Sequence, residues 1–132
     1  MGDSRGRAVN CERLRIEIDA FYQGFGHGPS LLSAFRSAVL VVPLTADDRV
    51  WSSEVGGVGW IPAFTGEPEF ARFALARQGE VEARFHTLYG WRIMDEVAAG
   101  FTRPTGVMVD ALGAAPMAFP PSVEPTTPGE PS

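Results

Sequence analysis

Trp60-Ile61-Pro62-Ala63-Phe64-Thr65-Gly66-Glu67-Pro68-Glu69-Phe70 decides the fold. An apolar, strand-like run enters this stretch, a Thr-Gly pair turns the chain, and a helix opens behind the turn. Thr65 or Gly66 takes the cap position. Pro68 is tolerated in a first turn, where backbone N–H groups have no intrahelical acceptor. Glu67 and Glu69 stand where the helix dipole favours acids. Phe70, Phe73 and Ala74 form the predicted buried face, and Gly79 the predicted end. The strand in front runs over 58–64. Its Pro62 cannot donate to a ladder, which predicts an edge position or a break in pairing.

Working upstream, Gly56-Gly57 reads as a hairpin turn that joins this strand to another at 49–55, behind a turn at 45–48. Ala38-Val39-Leu40-Val41-Val42-Pro43-Leu44 is a continuous apolar, β-branched run, the pattern of a strand buried on both faces. Pro29 opens a short helix with Leu31, Leu32 and Phe35 on its apolar side. The first helix starts at Cys11. Leu14, Ile18, Phe21, Tyr22 and Phe25 make one stripe at period 3.6, and Gly24, Gly26 and Gly28 close it.

Downstream, 81–88 alternates in part and predicts a strand. Gly90 opens a fourth helix with Trp91, Met94, Val97 and Ala98 facing inward, and Gly100 ends it. Gly106-Val107-Met108-Val109-Asp110-Ala111-Leu112 is a strand, turned by Gly113-Ala114 into 115–119. The last thirteen residues, from Pro120, contain five prolines and predict a disordered or extended tail. The architecture is therefore α+β: a single domain over 11–121, with a mixed β-sheet and about four helices. It lies between a flexible start at 1–10 and the Pro-rich tail at 122–132. There is no regular βαβ alternation, which argues against a doubly wound fold.

The chain has 132 residues, one domain's worth. Its net charge is −5, about −1 over residues 1–66 and about −4 over 67–132. That balance excludes nucleic acid as an expected partner, because phosphate contacts need a basic footprint. All eleven basic residues are Arg, the bias of a GC-rich genome. One cysteine, Cys11, permits no intrachain disulfide. No apolar run approaches the ~20 residues that span a bilayer, and no secretory h-region follows Met1. Gly6 stands where a myristoylation site needs Ser or Thr. The expected setting is the cytoplasm, with no membrane partner.

The run from Ala38 to Pro43, then Trp60-Ile61-Pro62-Ala63-Phe64-Thr65, then the aromatic helix through Phe70 and Phe73, resemble in their order the N-terminal domain of the SseB family, named for enhanced serine sensitivity. The late strand Gly106-Val107-Met108-Val109-Asp110 and the ending at 116–120 are similar too, so the resemblance covers roughly 11–121. It implies a bacterial α+β domain. Family members often carry Asn-Pro where this chain has Asp110-Ala111, and some carry a second domain, for which this chain has no room. The family has no agreed biochemical activity, so the resemblance implies no catalytic residues.

The candidate chemistry is sparse. Cys11 could be a thiolate nucleophile only with a lowered pKa and a neighbouring base; a helix-start thiol accounts for it more simply. His27, in Gly-Phe-Gly-His-Gly-Pro, follows a helix and lacks the strand and Lys of a phosphate loop, so it reads as a loop residue. His86 and Asp95 could form an acid/base pair if the fold joins them; a half-exposed strand histidine is the plainer reading. Glu67, Glu69, Glu80 and Glu82 fit an acidic first turn and a polar loop better than paired carboxylates. Gly56-Gly57-Val58-Gly59 precedes a strand, the wrong context for a dinucleotide fingerprint. Two histidines and scattered acids match no metal spacing. No cofactor, metal site or catalytic set is implied.

Trp51, Trp60, Phe64 and Asp110 are the candidate binding residues. Trp60 and Trp91 have core roles as well, whereas Trp51 sits on a short strand and is the best placed of the tryptophans for an interface. Aromatics ringed by polar residues often anchor interfaces. The favoured function is a non-catalytic cytoplasmic interaction or adaptor module that binds another protein or itself. The alternative is a small enzyme, or a small-molecule-binding regulator, with a site assembled from dispersed residues such as His86 and Asp95.

Overall fold

The computed structural model describes residues 11–77 and 84–121. The expected flexible start at 1–10, the Pro-rich tail at 122–132, the helix end at Gly79 and the acids Glu80 and Glu82 lie outside them. In chain order come α1 (Glu12–Tyr22), α2 (Gly28–Ser37), β1 (Val39–Pro43), β2 (Ser53–Val55), β3 (Val58–Ala63), α3 (Glu67–Ala76), β4 (Phe85–Tyr89), α4 (Gly90–Arg92), β5 (Thr105–Val109) and β6 (Met117–Phe119). Helix α4 runs on without a break into a π turn, Ile93–Val97, and a 3-10 turn, Ala98–Gly100. The strands form a mixed four-stranded sheet, β2-β3-β5-β6, and an antiparallel pair, β1-β4. This is an α+β fold.

The opening stretch stitches the two sheets together. β3 pairs with β5 in parallel, Trp60 opposite Gly106 and Pro62 opposite Met108. The odd residues bond toward β5: Gly59 N–H donates to the Pro104 carbonyl at 2.8 Å, and the Ala63 carbonyl accepts from Asp110 N–H at 2.8 Å. The even residues therefore bond to the other side. There, β2 begins with Ser53 opposite Trp60, and Phe64 exchanges two hydrogen bonds with Val41 of β1 at 2.8 and 2.9 Å. Pro62 falls between these two partners. Its missing N–H sits at the break in pairing, where no ladder bond is lost.

The alternation in β1 explains its apolar run. Leu40 and Val42 enter a core with Leu14, Ile18, Leu31, Phe35, Ile61, Val107 and Val109. Val41 faces a second cluster with Phe64, Phe70 and Phe73. Both faces are thus buried. In the first core Phe35 stacks on Phe119 with ring centres 4.3 Å apart. In the second, Phe64 meets Phe73 at 5.2 Å and Phe70 at 6.0 Å, which fixes α3 against the sheet. Gly56 and Gly57, with φ of 59° and 84°, make the two-residue hairpin between β2 and β3, and their positive φ suits the strand twist.

Four expectations are corrected. The strand expected over 49–55 begins only at Ser53. Before it, Leu44 bridges Val50 alone and Trp51 N–H donates to the Pro43 carbonyl at 3.0 Å, so this segment crosses the end of β1 instead of extending β2. The α1 stripe buries Leu14 and Ile18 only. Phe21 and Tyr22 are 48% and 56% exposed and Phe25 81%, because the helix stops at Tyr22 and the helical period no longer holds at Phe25. The Tyr22 hydroxyl donates to the Pro116 carbonyl, which ties α1 to the loop before β6. Trp91 does not face inward. Gly90 is clamped to α2 through its N–H, 2.8 Å from the Ala38 carbonyl. That contact sets the helix phase, so Ile93 and Ala98 enter the core and Trp91 stays out beside Pro29 and Leu32. Phe64, expected as a binding residue, is 1% exposed and belongs to the second core.

Candidate functional site

β3 and β5 run parallel, so both chains leave the sheet at the same end, the usual place for a site in such an arrangement. Asp110 follows β5 directly and takes φ 52°, a left-handed conformation that Asp tolerates better than most residues. This turn points its carboxylate at the end of β3. Asp110 Oδ1 accepts from Thr65 N–H at 2.9 Å and Oδ2 from the Thr65 hydroxyl at 2.7 Å. From α1, Arg15 Nη2 donates to the Thr65 carbonyl and hydroxyl oxygens, both at 3.1 Å. Thr65 itself is 3% exposed. Around this knot lies a cleft of about 530 Å³ that also reaches Asp19, Glu69 and Arg72.

The knot is better built to hold than to react. Both Asp110 oxygens and Arg15 Nη2 are engaged with Thr65. Glu69 folds back over Gly66, where a Cβ would stand 2.8 Å from Oε1; that oxygen is buried with no hydrogen-bond partner among the described residues. Cys11 lies near but is no nucleophile. Its thiol donates to the Val39 carbonyl at 3.2 Å, and its pKa is pushed up to about 12, chiefly by burial, with Arg15 opposing and Asp110 and Glu69 adding to the rise. The thiolate fraction at pH 8 falls roughly a thousandfold against an ordinary thiol. Iodoacetamide should therefore alkylate Cys11 in urea and leave it intact in the folded protein, as mass spectrometry would read. Fast native alkylation would refute this account of the thiol.

The dispersed pair does not form. Asp95 receives both ends of the Arg36 guanidinium, at 2.8 and 3.0 Å. Those hydrogen bonds hold its carboxyl below the usual carboxylate range, the wrong direction for a proton donor near neutral pH. His86 sits on β4 opposite Val42. His27 caps α2, its Nδ1 accepting from Ser30 N–H at 3.3 Å. Among the described residues no three His, Cys, Asp or Glu side chains are grouped for a metal ion.

The other expected residues converge on the opposite face of the sheet. Ile61 and Ala63 point into the core, so Trp60 and Pro62 point away from it. Across the ladder they share that face with Ser53, Gly106 and Met108. Gly106 is required there: a Cβ would lie 2.8 Å from Trp60 Cζ3 and 2.6 Å from the Phe119 carbonyl oxygen. Its absence lets the indole lie on the sheet. α3 supplies a wall. Phe73 meets the Trp51 ring edge-on at 5.7 Å, and the Arg77 guanidinium lies 5.4 Å from the Trp51 centroid, within cation–π range. The result is a groove of about 340 Å³ lined by Trp51, Trp60, Pro62, Phe73, Arg77 and Met108. Beside it Val55 is 68% exposed.

The structure thus unites Trp51 with Trp60, assigns Asp110 to the polar knot and buries Phe64. Sequence reasoning missed Phe73, Arg77 and Met108. The signal for Met108 was present, since β5 alternates like β3; Phe73 and Arg77 depend on how α3 returns across the sheet. No protein-family model, characterised protein or solved structure matches this chain.

Proposed function

We propose that this chain is a non-catalytic interaction module of the cytoplasm, related to the N-terminal domain of the SseB family, and that it binds an extended apolar segment of a partner protein in the Trp51–Trp60 groove. The observation that carries this reading is the groove itself: two half-buried tryptophans and Met108 gathered on the sheet face away from the first core, backed by Phe73 of α3. Large amphipathic aromatics in a pocket that a partner fully desolvates are the usual anchors of an interface. At about 340 Å³ the groove has the size of a small ligand pocket and suits one or two apolar side chains. An enzyme built on His86 and Asp95 is not favoured, because Asp95 is already committed to Arg36.

The test is capture of partners by the full chain, followed by affinity measurement with the recovered partner. Trp60→Ala and Trp51→Ala should each weaken binding by roughly tenfold or more, since hot-spot truncations cost about 2 kcal/mol. Leu75→Ala, on the exposed side of α3 at 72%, serves as the unaffected control. Unchanged affinity in both tryptophan variants sinks the groove as the interface.

A further inference from the structure

We infer that the cleft at the Asp110–Thr65 knot is a second binding site, separate from the tryptophan groove, and that it takes a small apolar zwitterion: an ammonium and a carboxylate on one short molecule with an aliphatic side chain. Two unmatched charges that line one cavity carry this.

The cleft of about 530 Å³ is lined by α1, by the first turns of α3 and by the turn after β5. Its central groups are occupied. Both Asp110 oxygens accept from Thr65, and Arg15 Nη2 donates to Thr65. Two charges on α3 are not occupied. Glu69 Oε1 is buried and has no hydrogen-bond partner among the described residues. Arg72, exposed on the same wall, makes no hydrogen bond or ion pair among them.

Glu69 and Arg72 stand three residues apart on a helix. Cβ atoms at that spacing are about 5–6 Å apart, and an acid and an arginine there ordinarily close on each other. Here they do not. Glu69 turns back over Gly66 instead, where a Cβ would lie 2.8 Å from Oε1. A buried carboxylate oxygen without a donor is a costly group to keep. The ligand's ammonium supplies that donor, and its carboxylate meets the Arg72 guanidinium, whose paired N–H groups match a carboxylate.

The balance of charge decides the class of ligand. A purely anionic molecule would meet Glu69, with Glu12 and Asp19 of α1 behind it. A purely cationic one would meet Arg72 and Arg15. A molecule of both signs satisfies both halves. The apolar part follows from Ile16, which is 60% exposed and lines the cleft beside Ala114 and Ala115. An aliphatic side chain laid over it withdraws that surface from water. The place agrees, since the cleft lies beyond the carboxyl ends of the parallel strands β3 and β5.

The experiment titrates the full chain at neutral pH and follows its backbone amides by NMR. The probes are two zwitterions, L-leucine and leucylglycine, and two molecules that keep one charge each, leucinamide and N-acetyl-leucine. At least one zwitterion should shift the Gly66, Gly113 and Ala114 amides saturably, with a dissociation constant on the order of 1 mM or tighter; the tighter of the two gives the charge separation that the site takes. Both single-charge probes should bind roughly tenfold more weakly or worse, and Glu69→Gln and Arg72→Gln should each weaken the zwitterion by a similar factor. Arg13→Gln, exposed on α1 and outside the cleft, should change nothing. Glu69→Gln should also leave the melting temperature of the free protein unchanged or raised, because its oxygen has no partner to lose. A lowered melting temperature would make Glu69 a structural group and remove it from the site. Absence of shifts with both zwitterions overturns the inference, as does a single-charge probe that binds as tightly, or unchanged affinity in both α3 variants.

Discussion

Gly90→Ala should cost about 3 kcal/mol or more and lower the melting temperature by roughly 10 °C. A Cβ at this position would stand 1.9 Å from the Phe35 carbonyl oxygen and 2.8 Å from its carbon. Those are backbone atoms of the last turns of α2, so no side-chain rotation can relieve the clash. Gly90 N–H also donates to the Ala38 carbonyl at 2.8 Å. Moving α4 away to make room would break that bond and withdraw Ile93, fully buried, from the core. Gly100→Ala provides the contrast, because a Cβ there meets nothing within 4 Å; its effect should stay within about 0.5 kcal/mol. Thermal unfolding followed by circular dichroism reads both. Equal melting temperatures for the two variants would show that α4 can shift from α2 at little cost.

That contact illustrates which parts of the fold were legible in the sequence. Local signals were strong where the chain punctuates itself. Gly56-Gly57 specified a hairpin and the φ values match it. The Thr65-Gly66 turn with Pro68 and acids behind it specified the start of α3, whose cap is Gly66. The unbroken apolar run at β1 specified burial on both sides. The misread parts are those where tertiary contact overrides local periodicity. Trp91 fits a helical stripe by spacing, yet the clamp at Gly90 rotates the helix and puts Ile93 inside in its place. Phe21 and Tyr22 continue the α1 stripe by spacing, yet the core beneath that helix ends at Ile18.

The site was legible in the same uneven way. Trp51 was identifiable as an aromatic beside Ser52 on a short segment, whereas Trp60, between Gly59 and Ile61, read equally as a core residue. Their convergence required the β2-β3 register, which the hairpin supplied, and the α3 wall, which it did not. Asp110 was read inside a strand over 106–112, which the structure ends at Val109. What it holds could not be read, because Thr65 lies 45 residues away and the pairing depends on β3 and β5 being parallel neighbours. Nothing local marks a carboxylate whose partners are a distant backbone N–H and hydroxyl.

Asp110→Ala should destabilise the fold by about 3 kcal/mol. Two contributions add. A hydrogen bond to a charged group is worth about 1.5–3 kcal/mol, and Asp110 accepts two from Thr65 at the end of the neighbouring strand. Alanine must also hold φ 52°, a left-handed conformation costing about 1–2 kcal/mol for most residues. Two further variants separate these contributions. Asp110→Gly removes the carboxylate but relieves the backbone, so it should fall short of the alanine variant by about 1 kcal/mol. Asp110→Asn keeps one acceptor and tolerates the left-handed region, so it should lose only about 1 kcal/mol. Thr65→Val closes a double-mutant cycle with Asp110→Asn: if hydroxyl and carboxylate act as one unit, the combined loss is smaller than the two single losses taken together. Urea unfolding measures the whole series. Additive losses in the cycle, or alanine and glycine variants both within about 0.5 kcal/mol of the parent, would mean that Asp110 does not fasten the end of β5 to β3 and that Arg15 alone secures Thr65.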